Sequence, residues 1–240
     1  MRRKCFSIIT PTLNAGCKLE DTIKSVLSQK EELFEYIIID GCSTDETLNI
    51  IKKYDGRIKW ISEKDQGVYD AMNKGIEMAA GDYLYFLGAG DRLRENILER
   101  VEKNIPDQHL TFIYGNVYLI DENREYFGKF DEAKIVRANI CHQAIFYERT
   151  IFDLIGRYNL KYSLLADHDF NIRCFGNKSI KKIYLKEVIA DYEGKGISKE
   201  ECSDLRKDRL QIIKDHFGYK RSLFTRLKWA VRSYLEKLKC

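Results

Sequence analysis

One carboxylate in the sequence stands where three very small residues leave open space beside it. Asp91 follows the aromatic run YLYFL, residues 83–87, and then Gly88-Ala89-Gly90. Such a run is typical of a short buried strand, and glycine lets a ligand approach the backbone closely. A diphosphate is itself negative, so a carboxylate reaches it through a divalent cation such as Mg²⁺ or Mn²⁺. We therefore predict that Asp91 holds a cation and that Gly88 and Gly90 make room for a diphosphate and its sugar.

A second carboxylate, Asp40, ends the apolar run YIIID over residues 36–40 and precedes Gly41. Its oxygens are suited to accepting a hydrogen bond from the N–H group of a nucleobase. An aspartate that only shapes a turn before a glycine would give the same local pattern. The residue alone leaves both interpretations open.

The first ninety residues predict the elements that would bring these acids together. Strand and helix patterns alternate in the order β-α-β-α-β-α-β. The predicted strands cover 6–10, 36–40, 58–62 and 83–87; the predicted helices cover 18–28, a segment opened by a capping box from Ser43 to Glu46, and a segment between Gly67 and Gly81. This order favours an α/β fold with a mostly parallel sheet between helices, in which ligands bind beyond the carboxyl ends of the strands.

The second half is less regular. Its patterns predict strands at 111–121, 125–130 and 142–149, a helix from about Asp167, two short strands at 180–185 and 188–193, and helix from Lys199 onwards with a break at Gly218. His142 and Gln143 stand at the start of the third of these strands. We predict a domain at 1–198 and a helical extension at 199–240.

Two common nucleotide motifs do not match. The segment GAGDRL lacks the third glycine of a dinucleotide fingerprint and follows the fourth strand instead of the first. The chain also has no G-x-x-x-x-G-K-[ST] phosphate loop.

Five segments together resemble a family 2 glycosyltransferase of the Rossmann-like GT-A fold, and most closely its bacterial polysaccharide-assembly branch. They are SIITPTLNA, IIIDGCSTDET, SEKDQGVYDAMNKGI, GDYLYFLGAGD and ADHDFNIR, in the family's order and spacing over about residues 5–195. The resemblance implies an inverting sugar transferase that uses a nucleotide sugar, with UDP-sugar favoured, and a divalent metal.

The resemblance also implies roles for individual residues. It places Pro11, Thr12 and Asn14 under the nucleoside, Asp40 on the base, Lys64, Asp70 and Asn73 on the donor side, Asp91 at the last acid of a D-x-D-like metal motif, and Asp167 as the general base. His142 and Gln143 are expected to face the acceptor.

The chain departs from the family at two acids. Glycine, Gly88 or Gly90 according to the alignment, replaces the first acid of the metal motif. Ala166 replaces the glutamate of the family's Glu-Asp pair, which leaves Asp167 and Asp169 as alternative bases, with Asp167 preferred.

Structural interpretations compete with several of these roles. Asp70 could pair with Lys74 one helical turn away, and Asp167 could be a helix N-cap with Asp169 as a first-turn charge. His142 could be a structural histidine. The aromatic residues Tyr83, Tyr85 and Phe86 are expected in the core.

Composition limits the compartment and the partners. Seven cysteines, an odd number without a C-x-x-C pair, favour a reducing cytoplasm. The apolar run after the basic start is too short for a signal peptide, and no segment has the length of a membrane span. A net charge of +4 is too small to indicate nucleic acid as a partner.

The positive charge is concentrated at the carboxyl terminus. Residues 219–240 contain seven Lys or Arg and one acid. One helical face of this segment is apolar and the other is mostly basic, which predicts binding to the inner membrane surface. Packing on the domain, or pairing with a second subunit in a homodimer, is the alternative.

The sequence thus predicts sugar transfer from a nucleotide sugar to a saccharide, expected to be lipid-linked, in cell-surface polysaccharide assembly. A sugar-nucleotidyltransferase is one alternative, although the loop PTLNAGCKLEDT lacks the Gly-rich, basic character that it would need. A catalytically inactive nucleotide-sugar-binding protein is another, because one metal-motif acid is missing.

Overall fold

The computed structural model of this chain describes residues 5–107, 110–126, 128–194 and 203–219, together with 222 and 225. Its strands are β1 Phe6–Thr12, β2 Phe34–Asp40, β3 Lys59–Ser62, β4 Tyr83–Phe86, β5 Arg92–Leu93, β6 Thr111–Leu119, β7 Arg124–Tyr126, β8 Ile145–Glu148 and β9 Lys181–Tyr192. Its helices are α1 Gly16–Leu27, α2 Thr47–Lys52, α3 Val68–Met78, α4 Ile97–Glu102, α5 Glu132–Ile135, α6 Thr150–Ile155, α7 Ala166–Gly176 and α8 Ser203–Phe217, with 3₁₀ turns at Glu31–Leu33 and His142–Ala144.

The first half forms the parallel part of one sheet. The sheet order is β3-β2-β1-β4-β8-β6-β9-β5, with β7 beside β6, and the first four strands run parallel. β1 and β2 are buried on both faces, as expected for central parallel strands that read as continuous apolar runs. The predicted α/β fold and the predicted parallel arrangement are confirmed.

The predicted capping box is wrong. α2 begins at Thr47, and its N-cap Glu46 makes no side-chain capping bond. Ser43 lies before the helix, where its hydroxyl accepts a hydrogen bond from the Asn14 N–H at 2.8 Å. The serine oxygen is therefore used to join two loops.

Two further predictions about helix and strand limits need correction. Asp167 is not the N-cap of α7, because Leu165 occupies that position with a left-handed backbone and Asp167 lies inside the first turn. The two short strands predicted at 180–193 are one strand, β9, which pairs in parallel with β6 and has bulges opposite Tyr114–Val117. β9 is long enough for the residue that follows it, Glu193, to contact Asp91.

Two apolar clusters fill the space on the two faces of the sheet. Tyr83, Tyr85 and Phe86 are buried in them, as predicted, and Tyr85 stacks on Phe146 with ring centroids 4.5 Å apart. α8 joins the cluster that contains Phe86 through Leu205, Ile212 and Ile213. Over the part of the chain that is described, no helix has the length and apolar character needed to cross a membrane.

The amphipathic segment predicted at 219–240 lies almost entirely outside the described residues. The helix predicted from Lys199 is confirmed over Ser203–Phe217, and a left-handed Gly218 follows it.

Candidate functional site

Asp91 lies buried at the carboxyl end of β4, with 5% of its surface exposed. Its Oδ2 accepts a hydrogen bond from Gln143 Nε2 at 2.7 Å, and its Oδ1 accepts one from the Glu193 N–H at 3.1 Å. Burial raises the pKa of this carboxyl group, and the two donors oppose that rise. Asp91 is thus held in one orientation by the turn before β8 and the residue after β9, which come from the second half of the chain.

The glycines beside Asp91 serve the acid itself. A Cβ on Gly88 would stand 2.7 Å from Asp91 Oδ2. Gly90 has φ +108°, and a Cβ there would stand 3.0 Å from Glu193 Oε2. The space predicted for a sugar diphosphate is therefore partly filled by carboxylates of the protein, and an acidic side chain at position 88 would collide with Asp91 as it is placed. The glycine at position 88 is thus compatible with the observed placement of Asp91.

Asp40 and Thr12 end neighbouring strands and form a register pair. Asp40 is fully buried, and its Oδ2 accepts from the Ser43 N–H at 3.0 Å and from Ser62 Oγ at 2.5 Å. Asp40 Oδ1 and Thr12 Oγ1 are both buried without a hydrogen-bond partner in the structure. Since buried polar atoms are nearly always paired, these two oxygens are candidates for contacts with a ligand.

The loops after β1 and β2 are joined through Asn14. Asn14 has φ +49°, and its Oδ1 accepts from the Thr44 N–H at 2.9 Å. The Asp45 carboxylate accepts from the Gly16 N–H at 3.1 Å. Pro11 is a buried residue of β1, one position before Thr12. Asn14 and Asp45 therefore fix the two loops that flank Asp40.

The residues predicted to bind the donor, Lys64, Asp70 and Asn73, lie in or just before α3 and make contacts with other groups of the protein. Asp70 accepts from the Gln66 N–H at 3.0 Å and lies 3.8 Å from Lys74 Nζ, which is the surface pair weighed as its alternative. The Asn73 amide makes two hydrogen bonds to the backbone of Tyr158, at 3.0 and 3.1 Å. The Lys64 carbonyl accepts from Lys74 Nζ, and the Lys64 side chain is exposed.

Asp167 lies in the first turn of α7 with 4% of its surface exposed. Its Oδ1 accepts from Tyr69 OH and from the His168 N–H, both at 2.9 Å. Its Oδ2 accepts from Asn139 Nδ2 at 2.9 Å and lies 3.6 Å from His142 Nδ1. Burial alone would raise the pKa of Asp167, but His142 and Tyr69 outweigh burial and the pKa lies below its usual value. The polar groups around Asp167 thus favour its charged form over its protonated form.

Asp169 has different neighbours. Its Oδ2 accepts from Arg173 Nε at 3.0 Å, one helical turn along α7. Arg173 also donates to the carbonyl groups of Ile155 and Arg157, at 2.6 and 2.7 Å. Burial raises the pKa of Asp169 while Arg173 opposes this. Asp169 thus ties α7 to the end of α6, and Asp167 is the acid brought towards Asp91.

His142 and Gln143 were expected to face an acceptor, and the structure places them between the two acids. Gln143 is 3% exposed and donates to Asp91, whereas the imidazole of His142 is about one-fifth exposed and lies beside Asp167. Both belong to the 3₁₀ turn before β8. The arrangement joins the carboxylate after β4 to the carboxylate of α7 through two consecutive residues.

Sequence reasoning missed Tyr69, Asn139 and Glu193 as parts of this site. Tyr69 looks like a core residue of α3, and Asn139 lies in an irregular segment without a pattern. Glu193 contributes a backbone N–H, which no side-chain pattern predicts, and its carboxylate pairs with Lys18 at the start of α1. The one usable signal was the tyrosine inside the DQGVYDAMNKGI segment.

Comparisons with known proteins agree with this architecture. The Glycosyl transferase family 2 model matches residues 7–188. A "PGL/p-HBAD biosynthesis glycosyltransferase" of Mycobacterium bovis is 44% identical over 199 residues, which is 80% of this chain and 78% of the relative.

Two solved structures share the fold. Staphylococcus aureus TarS 1–349 in complex with UDP aligns with a TM-score of 0.72 at 17% identity, over 88% of this chain and 65% of that one. The mannosyltransferase PcManGT from Pyrobaculum calidifontis, in complex with GDP-Man and Mn²⁺, aligns with a TM-score of 0.61 at 16% identity, over 90% of this chain and 64% of that one. The chain is thus shorter than either solved structure, and at these identities the likeness concerns the GT-A fold. With the family model covering most of the domain and a relative at 44% identity, the chain belongs to glycosyl transferase family 2.

Proposed function

We propose that this chain transfers a sugar, with inversion, from a nucleotide sugar to a hydroxyl group of a saccharide acceptor. The observation that carries the proposal is the pair of buried oxygens without partners, Asp40 Oδ1 and Thr12 Oγ1, at the ends of β1 and β2. An unpaired buried acceptor costs free energy, and a nucleobase N–H would satisfy Asp40. Thr12 adds a hydroxyl that can donate to a base carbonyl group. Uracil, thymine and guanine each offer an N–H and a carbonyl oxygen, and we favour a UDP-sugar as donor because the fold neighbour TarS was solved with UDP.

The chemical step is a single displacement. The acceptor oxygen forms a bond to the anomeric carbon while the bond from that carbon to the diphosphate oxygen breaks, and the nucleoside diphosphate leaves. Asp167 drives removal of the acceptor proton, as the general base of the family would. A lowered pKa makes a carboxylate a weaker base, so this role rests on the place of Asp167 in the family motif and beside His142. Its partners Tyr69 and Asn139 fix the direction of its oxygens.

A divalent cation, Mn²⁺ or Mg²⁺, fits the residues around Asp91. Within the described ranges no group of three or more His, Cys, Asp or Glu side chains could hold a metal ion. Nucleotide-bound Mg²⁺ needs only one or two carboxylates, because phosphates and water supply its other ligands. Asp91 would provide that carboxylate through the oxygens that Gln143 and Glu193 orient. A bound cation would stabilise negative charge on the leaving diphosphate.

The acceptor and the cellular place are further parts of the proposal. A lipid-linked saccharide in cell-surface polysaccharide assembly would explain the basic amphipathic segment at 219–240, which would hold the enzyme on the inner face of the membrane. We retain the division into a catalytic domain at 1–198 and an extension at 199–240, of which α8 packs on the domain. A homodimer formed through the extension is the alternative role of its apolar face.

The donor assignment is tested by a thermal-shift screen of UDP-, GDP- and dTDP-sugars with and without Mn²⁺. Ligand binding raises the apparent stability with concentration, so a UDP-sugar should raise the melting temperature most, and more with Mn²⁺ present. If none of the three nucleotide sugars changes the melting temperature at millimolar concentration, the proposal is contradicted. Donor binding with no hydrolysis or transfer would favour the inactive binding protein.

A further inference from the structure

The turn His142–Ala144 is the only described segment that contacts both Asp91 and Asp167 through side chains of consecutive residues. Gln143 Nε2 donates to Asp91 Oδ2 at 2.7 Å, and His142 Nδ1 lies 3.6 Å from Asp167 Oδ2. The proposed function gives these two carboxylates different tasks, one beside the leaving diphosphate and one beside the attacking hydroxyl group.

We propose that Gln143 and His142 are positioning residues, and that this one turn sets the separation between the acid that binds the donor diphosphate and the acid that activates the acceptor. The inference rests on the proposed function and goes further, because it assigns the spacing of the site to residues outside both acids. In a displacement reaction a misplacement of about 1 Å can cost about 100-fold in rate, so a fixed spacing has catalytic value.

The turn is itself held rigidly to the sheet. The Gln143 carbonyl accepts from Tyr85 OH at 2.7 Å, and the Ala144 N–H donates to the Cys141 carbonyl at 2.9 Å. Tyr85 is a fully buried residue of β4, the strand that leads to Asp91. The turn is therefore bound to the same strand as the acid that it orients, and it cannot shift relative to Asp91 without breaking buried contacts.

The chemistry of the two side chains suits the two acids. The Gln143 amide is neutral, so it satisfies a desolvated carboxylate without competing with a cation for its charge. A lysine or arginine at this position would neutralise Asp91 and weaken its attraction to a metal. His142 reaches Asp167 from the more exposed side of the turn, while Tyr69 and Asn139 hold Asp167 from inside the protein.

Neighbouring residues with separate tasks should give separable effects. Loss of the Gln143 donor should weaken metal-dependent binding of a nucleoside diphosphate, because Asp91 loses its orientation. Loss of His142 should leave that binding intact and slow the chemical step, because only Asp167 is released. A residue that merely supports the fold would change both quantities together with stability.

The test uses the full chain, UDP with Mn²⁺ as the binding probe, and hydrolysis of the UDP-sugar that gives the largest thermal shift. Calorimetry on Gln143→Met, which has similar size and no donor, should show the Mn²⁺ concentration for half-maximal UDP binding raised by about 10-fold or more, since a hydrogen bond to a charged group is lost. Gln143→Asn keeps the amide, but its side chain is too short to reach Asp91. It should show the same rise in the Mn²⁺ requirement, and it replaces Gln143→Met if that variant folds poorly.

His142→Leu should bind UDP and Mn²⁺ within about 2-fold of the parent while kcat falls by about 10–100-fold at unchanged KM, within the range expected for positioning effects. His142→Gln, which restores a donor, should recover part of the rate. Gln29→Met is the matched control, because Gln29 is also a buried glutamine but bonds to the backbone of Ser25 and Arg94. It should change stability without changing the metal requirement.

Each other outcome has a defined meaning. Gln143→Met with the parent's Mn²⁺ requirement would overturn the role of Gln143, and His142→Leu with the parent's rate would overturn that of His142. Equal effects of Gln29→Met and Gln143→Met on the metal requirement would reduce both to fold stability. A parent protein that binds no UDP with Mn²⁺ would instead overturn the metal-dependent UDP site of the proposed function, and this inference with it.

Discussion

The two halves of the sheet contribute to the site in different ways. The parallel half, β1 to β4, offers short loops at strand ends, with Asp40 and Asp91 one or a few residues after an apolar run. The second half, β6 to β9, offers α7, an irregular turn and the end of a long strand, and its residues Gln143 and Glu193 contact Asp91. Asp40 is thus oriented within the parallel half by Ser43 and Ser62, whereas Asp91 is oriented by the second half, which also contains Asp167.

The two acids differ in electrostatics as well as in position. Burial raises the pKa of Asp91, whereas His142 and Tyr69 hold the pKa of Asp167 below its usual value despite burial. Asp91 therefore favours its neutral form more than Asp167 does, although both side chains are buried. Similar burial thus leaves the two carboxyl groups in different electrostatic environments.

The largest expected effect is on the transfer rate, and it comes from a change to Asp167 in the second half. Asp167→Asn keeps the shape of the side chain but cannot accept a proton, so transfer should fall by about 10²–10⁴-fold, the usual contribution of a general base. Single-turnover rates measure this. Asp169→Asn is the matched control on the same helix: it should lose stability through Arg173 and keep most of the rate. A larger rate loss in Asp169→Asn would reassign the base.

The next effect concerns the parallel half. Asp40→Ala removes a charged partner of the nucleobase and should weaken nucleotide binding by about 1.5–3 kcal/mol, with a smaller effect on the rate at saturating donor. Calorimetry with UDP measures it. Asp21→Ala, an exposed acid 3.9 Å from Arg92, is the control and should bind normally. An unchanged dissociation constant in Asp40→Ala would remove Asp40 from the base contact.

A smaller effect is expected on the stability of the fold, to which the two acids should contribute with opposite pH dependence. A lowered folded-state pKa means that Asp167 stabilises the fold above its unfolded value of about 3.9 and loses this contribution as the pH falls through the folded value. The raised pKa of Asp91 has the opposite sign: ionisation of Asp91 costs stability as the pH rises through the folded value.

At pH 7, Asp167→Asn should therefore melt below Asp91→Asn by about 2–4 °C, the shift for roughly 1 kcal/mol in a chain of this size. The difference should close only as the pH falls through the folded-state pKa of Asp167, which lies below its unfolded value of about 3.9. Thermal unfolding across pH measures it. Asp91→Asn melting lower than Asp167→Asn at pH 7 would contradict the electrostatic comparison.

The smallest effect on the site is expected from the basic segment. Glutamine at Arg226, Lys228 and Arg232 should reduce sedimentation of the full chain with phosphatidylglycerol vesicles and leave UDP binding unchanged. The parent's vesicle binding should weaken as the salt concentration rises, because salt screens the attraction between basic side chains and anionic lipid. Glutamine at the exposed Lys24, Lys52 and Lys53 is the control of equal charge. Equal vesicle binding by both variants would exclude the segment as a membrane contact.

The sequence predicted the parallel half well because local patterns determine it. A continuous apolar run followed by a polar residue fixes both a buried central strand and the group at its carboxyl end, as β2 and Asp40 illustrate. The short segment ADHDFNIR around Asp167 also resembles the family, and the helix predicted there is confirmed.

The contacts of the site were not predictable, since they join residues far apart in the chain. Gln143 reaches Asp91 across 52 positions and Tyr69 reaches Asp167 across 98. The capping box at Ser43 failed for a related reason: a long-range bond from Asn14 uses the oxygen that a helix cap would need. Local propensity predicts elements, whereas the order of strands decides which side chains meet.

The account is tested most directly by calorimetry of UDP binding with and without Mn²⁺ on Asp91→Asn and Asp167→Asn, with transfer or hydrolysis measured on the same preparations. We predict that Asp91→Asn loses the Mn²⁺-dependent part of binding, because its carboxylate is the oxygen ligand that a hard cation requires. Asp167→Asn should bind UDP with Mn²⁺ as the parent does and fail in turnover. Parent-like metal-dependent binding by Asp91→Asn, together with parent-like turnover by Asp167→Asn, would contradict the division of tasks between the two halves of the sheet.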